Sequence, residues 1–335
     1  MQFEFSLWAL LRGKAQVQAL ELVQPTVNLR QNPDGEWNAA TLAAAPEEEE
    51  PPSAEAPAAS PVRNWRIEDG TILIERPDQP TLRLTGVELA ATDISTTEPF
   101  PVRLAVSFAE QSRISTDGRL GPLDLSAPAR TPFQGELRLE QFRPDALSSL
   151  ITVPPELARL GAMSGTLKLR SGREEIAAQG KITLLGSEEE DDLSLQLDVK
   201  LPPDLRRVEA SETIVEYGEA RVRAQGSVEL APPYALNLAL TTSEAELGAL
   251  RQVPLRLGYP LPVSPPAATG RVTSDLKLEG TPEEWVASGK AKVTRLAVKP
   301  EGFPETLRTD SLELTLDPER ITAAPFNLSL APGVV

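Results

Sequence analysis

The side chains able to do chemistry here are carboxylates, amines, guanidiniums and three tyrosines, because the 335-residue chain has neither cysteine nor histidine. Without Cys there is no thiolate nucleophile, no disulfide and no Cys-rich zinc site; without His the usual general base and the commonest transition-metal ligand are missing. What remains is carboxylate chemistry, and its spacing is not organised. Glu188 to Asp192 are five acids in succession, whereas a calcium loop needs spaced ligands and a turn glycine among them. Glu174-Glu175 and Glu283-Glu284 read as surface charge, since nothing fixes the separation a catalytic carboxylate pair requires. Met163 and the four tryptophans read as packing or interface residues, Trp8 as a staple onto the first strands. No catalytic residue, metal ligand or cofactor is assigned.

The patterned property is apolarity. In Leu193-Ser-Leu195-Gln-Leu197-Asp-Val199-Lys-Leu201 the apolar side chains fall on alternate positions, the signature of a strand with one apolar face. The same period recurs at Thr81 to Leu84, Val102 to Phe108, Leu137 to Leu139, Thr166 to Arg170 and Lys181 to Leu184. It returns at Leu236 to Leu240, Asp275 to Glu279, Leu312 to Asp317 and Phe326 to Leu330. Gly, Pro and Asp clusters between the runs are turn signals. The pattern predicts a mostly β, antiparallel protein of roughly sixteen strands. Short helices are expected at Leu7 to Arg12, Ala146 to Leu150 (capped by Asp145) and Glu244 to Leu250, with Pro254 as a stop signal.

Composition adds exclusions. The net charge is −16, and two acidic runs, Glu47 to Glu50 with Glu55 and Glu188 to Asp192, read as solvated loops. No basic stripe carries interleaved aromatics, which argues against nucleic acid as a partner. No stretch approaches the ~20 apolar residues of a membrane span. The start, MQFEFSLWALLRGK, does not have the charge or cleavage pattern of a signal peptide. Residues 43–61, built only of Ala, Pro, Ser and Glu, read as a disordered linker. It divides an N-terminal β segment, 1–42, from a repeated region, 62–335.

The repeat has two degenerate units, about 133–235 and 236–335. Leu137, Leu139, Leu147, Leu150, Gly165, Leu167, Leu169, Gly180 and Ile182 are followed in order by Leu238, Leu240, Leu247, Leu250, Gly270, Leu276, Leu278, Gly289 and Val293. Each reads as strand, short helix, Pro-rich crossing and further strands. One-sided strands must hide their apolar face, and the helices are too few to cover them. Closure into a sandwich is the ordinary solution. Scarce aromatics, 4% of the chain, and a Leu, Val and Ile lining point instead to a long curved sheet with an apolar groove. Its expected lipid-contacting residues are Leu167, Leu169, Ile182, Leu184, Leu193, Leu195, Leu197, Val199, Leu276, Leu278, Leu312 and Leu314.

Residues 3–42 carry a resemblance. Leu10-Leu11-Arg12-Gly13, Leu20-Glu-Leu22, Pro25-Thr-Val-Asn-Leu29, Asp34-Gly-Glu-Trp37-Asn38 and Leu42 follow in the order of the N-terminal segment of the AsmA family, which includes TamB-like proteins. Gly270-Arg-Val-Thr-Ser-Asp-Leu-Lys-Leu-Glu-Gly280, then Ala287-Ser-Gly-Lys-Ala-Lys-Val293, is similar to the family's β repeats. The resemblance implies a non-enzymatic periplasmic protein anchored in the inner membrane, carrying phospholipid along an apolar β groove towards the outer membrane. Family members usually begin with a transmembrane helix and continue past the position of Val335, so the chain is read as a fragment or truncated product. The alternative implied by TamB-like relatives is a scaffold that assembles outer-membrane proteins through exposed strand edges.

Overall fold

The computed structural model describes residues 2–5, 17–34, 38, 63–77, 81–108, 112–124, 127, 130–148, 160–172, 175–186, 191–204, 206–257, 267–281, 284–300 and 305–332. The protein is mostly β, its strands paired in a sheet of mixed parallel and antiparallel neighbours. The chain divides into two compact units, one of residues 1–154 and 168–173, the other of 155–167 and 174–335. The expected helix at Leu7 to Arg12, the linker 43–61 and the acids Glu188 to Glu190 lie outside the described residues.

The first unit begins with β1 (Gln2–Phe5), which pairs antiparallel with β2 (Val17–Val23). Strands β2 and β3 (Thr26–Arg30) both run parallel to β4 (Asn64–Glu75). This mixed pairing departs from the all-antiparallel expectation. Parallel neighbours need a crossover rather than a tight turn, and the 30-odd residues between Arg30 and Asn64 supply it. The break between β2 and β3 is matched by a break in β4. Gln24 (φ 50°) faces Asp69 (φ 48°), the Gln24 amide donates to Glu68 O at 2.8 Å, and the Thr71 amide to Pro25 O at 2.8 Å. Asn38 donates from Nδ2 to Asn28 O and accepts the Arg30 amide, both at 2.9 Å. That is how an Asx side chain ties a turn to its strand. Antiparallel strands β5 (Leu82–Ala91), β6 (Phe100–Phe108), β7 (Ser112–Leu120) and β8 (Phe133–Phe142) complete the unit.

Beyond β8, Pro144–Leu147 is a single 3-10 turn. The expected Asp145 cap does not form; its carboxylate pairs with Arg143 at 3.0 Å instead. Strand β9 (Met163–Ser171) follows and pairs with β10 (Ile176–Leu184). An antiparallel meander continues through β11 (Leu193–Leu201), β12 (Arg207–Tyr217), β13 (Ala220–Glu229) and β14 (Leu236–Glu246). After helix α1 (Leu247–Arg256) come β15 (Ala267–Gly280), β16 (Trp285–Lys299) and β17 (Glu305–Asp317). Two short strands, β18 (Arg320–Ala323) and β19 (Ser329–Pro332), both pair with β17. The run Phe326 to Leu330, expected as a strand, is irregular up to Leu328.

The repeat has a structural counterpart. Strand β8, a helical turn, β9 and β10 correspond to β14, α1, β15 and β16. In both, a glycine faces a leucine at the same spot. A Cβ on Gly180 would lie 2.9 Å from Leu167 Cα and closer still to the Thr166 carbonyl; one on Gly289 would lie 3.0 Å from Leu276 Cα and closer to the Asp275 carbonyl. Only glycine permits that backbone approach, so the Leu/Gly phrase persists while loop lengths drift.

Candidate functional site

Pairing register places the apolar positions of the second unit on one surface. Leu184 lies opposite Leu193, Ile182 opposite Leu195, Gly180 opposite Leu197 and Ala178 opposite Val199. Leu195 then faces Val215, and Val215 faces Val222. On the far side Leu240 faces Leu276, Leu238 faces Leu278, and these face Gly289 and Ala287. Val293 and Ala291 face Leu312 and Leu314. Of the residues expected to contact lipid, the ten on β10, β11, β15 and β17 thus belong to one floor, joined through β12, β13, β14 and β16. Leu167 sits beside Gly180 at its margin, and Leu169 is half-buried further along β9.

Sequence reading missed the middle of this floor, notably Val215, Val222, Ala224, Leu238 and Leu240. Strand β12 hides its phase: register shifts between Ala210 and Thr213, so the floor positions fall on both parities of the numbering. A second shift between Thr242 and Ala245 does the same at the end of β14, where Glu244 has φ 50°. Each bulge inserts residues without interrupting the surface. Large and small side chains alternate across the floor, with Gly180, Ala224, Gly226, Ala287, Gly289 and Ala291 as hollows between leucines. Thr213, Thr242 and Ser274 are polar positions on it, and the hydroxyls of Thr242 and Ser274 lie 3.1 Å apart.

Burial is graded across this surface. Helix α1 lies over the ends of β12 to β15, where Val253 and Leu257 pack on Leu184, Leu193 and Val215. Leu193 there is wholly buried. Arg256 Nη2 donates to Leu185 O at 2.9 Å and pins the helix end. Pro254, expected beyond the helix, stands in its last turn and removes one bond to the preceding turn. Ten residues are too few for a stable isolated helix, so floor packing holds α1 in place. Away from α1, Leu197, Val199, Leu238, Leu276, Leu278 and Leu314 are only half-buried. Among the described residues no second layer covers them.

The opposite face is charged. Arg223 pairs with Glu212 at 2.8 Å and Lys292 with Glu313 at 2.9 Å. The hydrogen bond from Lys292, then its charge, holds the Glu313 carboxyl below the usual carboxylate range. The first unit repeats the two-faced arrangement. Ile67, Leu89, Leu104 and Leu137 fall in one row, with Thr116 between the last two, and Phe108 meets Phe142 edge-on with centroids 5.9 Å apart. Its charged face holds a depression of about 790 Å³. Arg66, Arg103, Arg113 and Arg138 line it and pair with Glu68, Asp117, Glu88 and Glu136, which leaves no unpaired cation in it to bind an anion. Among the described residues there is no cluster of three potential metal ligands and no helix long and apolar enough to cross a membrane.

No protein-family model, curated protein or solved structure matches the chain, and nothing among these comparisons identifies the AsmA family.

Proposed function

We propose that the protein is a non-enzymatic lipid-binding and lipid-transfer protein whose apolar β floor takes phospholipid acyl chains. The observation that supports this most directly is the half-buried aliphatic surface spanning eight neighbouring strands, β10 to β17, backed by a charged face and covered, among the described residues, by α1 at one end only. Exposed contiguous apolar surface of this extent marks a binding surface in a soluble domain. At ~4.8 Å per strand the floor is ~34 Å across, longer than the ~15 Å hydrocarbon depth of one bilayer leaflet. A flexible Leu and Val lining with glycine hollows suits chains that must slide rather than lock. Taken with the AsmA-like phrases of residues 3–42, the reading places the protein in the periplasm, anchored to the inner membrane and passing phospholipid towards the outer membrane.

The test is lipid extraction and mass spectrometry on the gently purified chain, with Leu278→Asp alongside. Leu278 is a better probe than Leu195, which packs against the buried cluster. Copurifying phospholipid that is lost in a folded Leu278→Asp protein supports the reading. A wild-type chain that carries no lipid and takes up none from phospholipid micelles refutes it.

A second reading, a scaffold for outer-membrane proteins, is favoured by one feature. Strands β18 and β19 are short, and Ile321, Phe326, Leu328 and Leu330 around them are exposed, so client strands could extend the sheet there. Photocrosslinking from Leu328 and Leu330 would yield adducts with a barrel protein; their absence would remove this alternative.

A further inference from the structure

On the floor side of the second unit exposure is lowest at the α1 end and highest at hairpin tips of the opposite end. At the α1 end Leu193 and Ala245 are 0% exposed; at the opposite strand ends Leu230 is 46%, Trp285 57% and Ile321 69% exposed. These three lie on the floor side. Leu230 follows the floor residue Val228 by two positions, Trp285 precedes Ala287 by two, and Ile321 pairs with Leu316. They occupy three hairpin tips at the same end of the meander, β13 to β14, β15 to β16 and β17 to β18. Tyr234, 49% exposed, shares the first tip, held by the Glu229 amide to Ala235 O at 2.8 Å and the Tyr234 amide to Ala231 O at 2.8 Å.

We propose that this row of tips is a docking rim for a zwitterionic phospholipid surface, through which acyl chains reach the floor from the side. Three observations select a lipid surface over a protein partner. The apolar groups are strung along a line of ~24 Å, five strand spacings, rather than gathered into the patch of ~800 Å² that a stable protein partner needs. The aromatics at the tips are Trp and Tyr, whose apolar bodies and polar atoms suit the headgroup boundary. The floor also runs without a break from these tips towards α1, so a chain entering at the rim meets apolar surface throughout. The charge around the tips fixes the lipid class. Glu284, Asp317 and Glu319 flank Trp285 and Ile321 beside the cation Arg320, and at the first tip Arg206 and Arg207, next to Leu230, are matched by Asp204, Glu209 and Glu229, so the rim has no excess of cations and an anionic surface is disfavoured. Lateral entry rests on the groove reading; docking of the rim does not.

The experiment is flotation of the full chain with phosphatidylcholine vesicles, alone and with phosphatidylglycerol added. The wild-type protein is expected to float with the neutral vesicles and no better with the anionic ones. The triple variant Leu230→Ser, Trp285→Ser, Ile321→Ser should lose about tenfold or more in partitioning, a decade being ~1.4 kcal/mol, with an unchanged circular dichroism spectrum. A second measurement needs no rim substitution. In a chain with Trp8→Phe, Trp37→Phe and Trp65→Phe, brominated phosphatidylcholine should quench the remaining Trp285. A wild-type chain that stays unbound, a triple variant that floats equally, or an unquenched Trp285 overturns the rim. Lipid recovered by mass spectrometry reads the floor separately, so flotation without bound lipid sinks the groove reading and leaves the rim standing.

Discussion

Leu193 and Leu278 occupy the same floor with different cover, and truncating each to Ala separates an open groove from a closed core. Leu193 is wholly buried between Leu184, Val215 and the helix residues Val253 and Leu257. Removing three of its carbons forfeits ~2.4 kcal/mol of transfer free energy at ~0.8 kcal/mol per group, and the cavity left under α1 adds more. The expected loss is ~3 kcal/mol or above, within the ~2–5 kcal/mol range for buried Leu→Ala. Leu278 faces Leu238 and Ala287 but is half-buried, with no layer above it among the described residues. Its truncation leaves no sealed void and should cost ~1 kcal/mol or less. Urea unfolding of the delipidated chain followed by circular dichroism, with amide exchange on β11 and β15 as local probes, reads both. Equal losses of ~3 kcal/mol at the two positions would mean that Leu278 is covered as fully as Leu193, and the open-groove argument would fail.

Further outcomes follow from single sites. Gly289→Ala puts a Cβ 3.0 Å from Leu276 Cα at φ +127° and should destabilise by about 2–5 kcal/mol. Gly86→Ala, at φ +55° with its nearest neighbour 3.6 Å away, should cost only ~1–2 kcal/mol; thermal melts compare the two. Asn38→Ala removes two 2.9 Å hydrogen bonds and should cost about 1–2 kcal/mol, with faster exchange of the Arg30 amide. Lys292 lowers the Glu313 pKa, so the pair's contribution is present at neutral pH and fades as acid titrates through that lowered value. Lys292→Met should therefore move the Glu313 titration, followed by NMR, upward towards the ordinary carboxylate range. The melting temperature at pH 7 should stay close to that of the wild type, as for an exposed, solvent-screened pair.

Much of this protein is legible locally. Alternation in Leu193 to Leu201 states which side chains share a face, because successive residues of a strand must point to opposite sides. The Leu/Gly phrases at Leu167 and Gly180, and again at Leu276 and Gly289, mark a backbone approach that no other residue tolerates. Other features depend on partners distant in sequence. The parallel seating of β2 and β3 on β4 follows from a long crossover whose path no local pattern encodes. At Ala210 to Thr213 and Thr242 to Ala245 the bulges reverse the phase of the numbering, so period-2 reading loses the floor just where its centre lies. Pro254 reads as a helix stop, yet packing of Val253 and Leu257 on the sheet carries the helix past it. Whether the floor is closed or open was decided by tertiary structure alone. A strand sequence can require that one face avoid water, but what covers that face depends on how far the sheet curves and where α1 comes to rest.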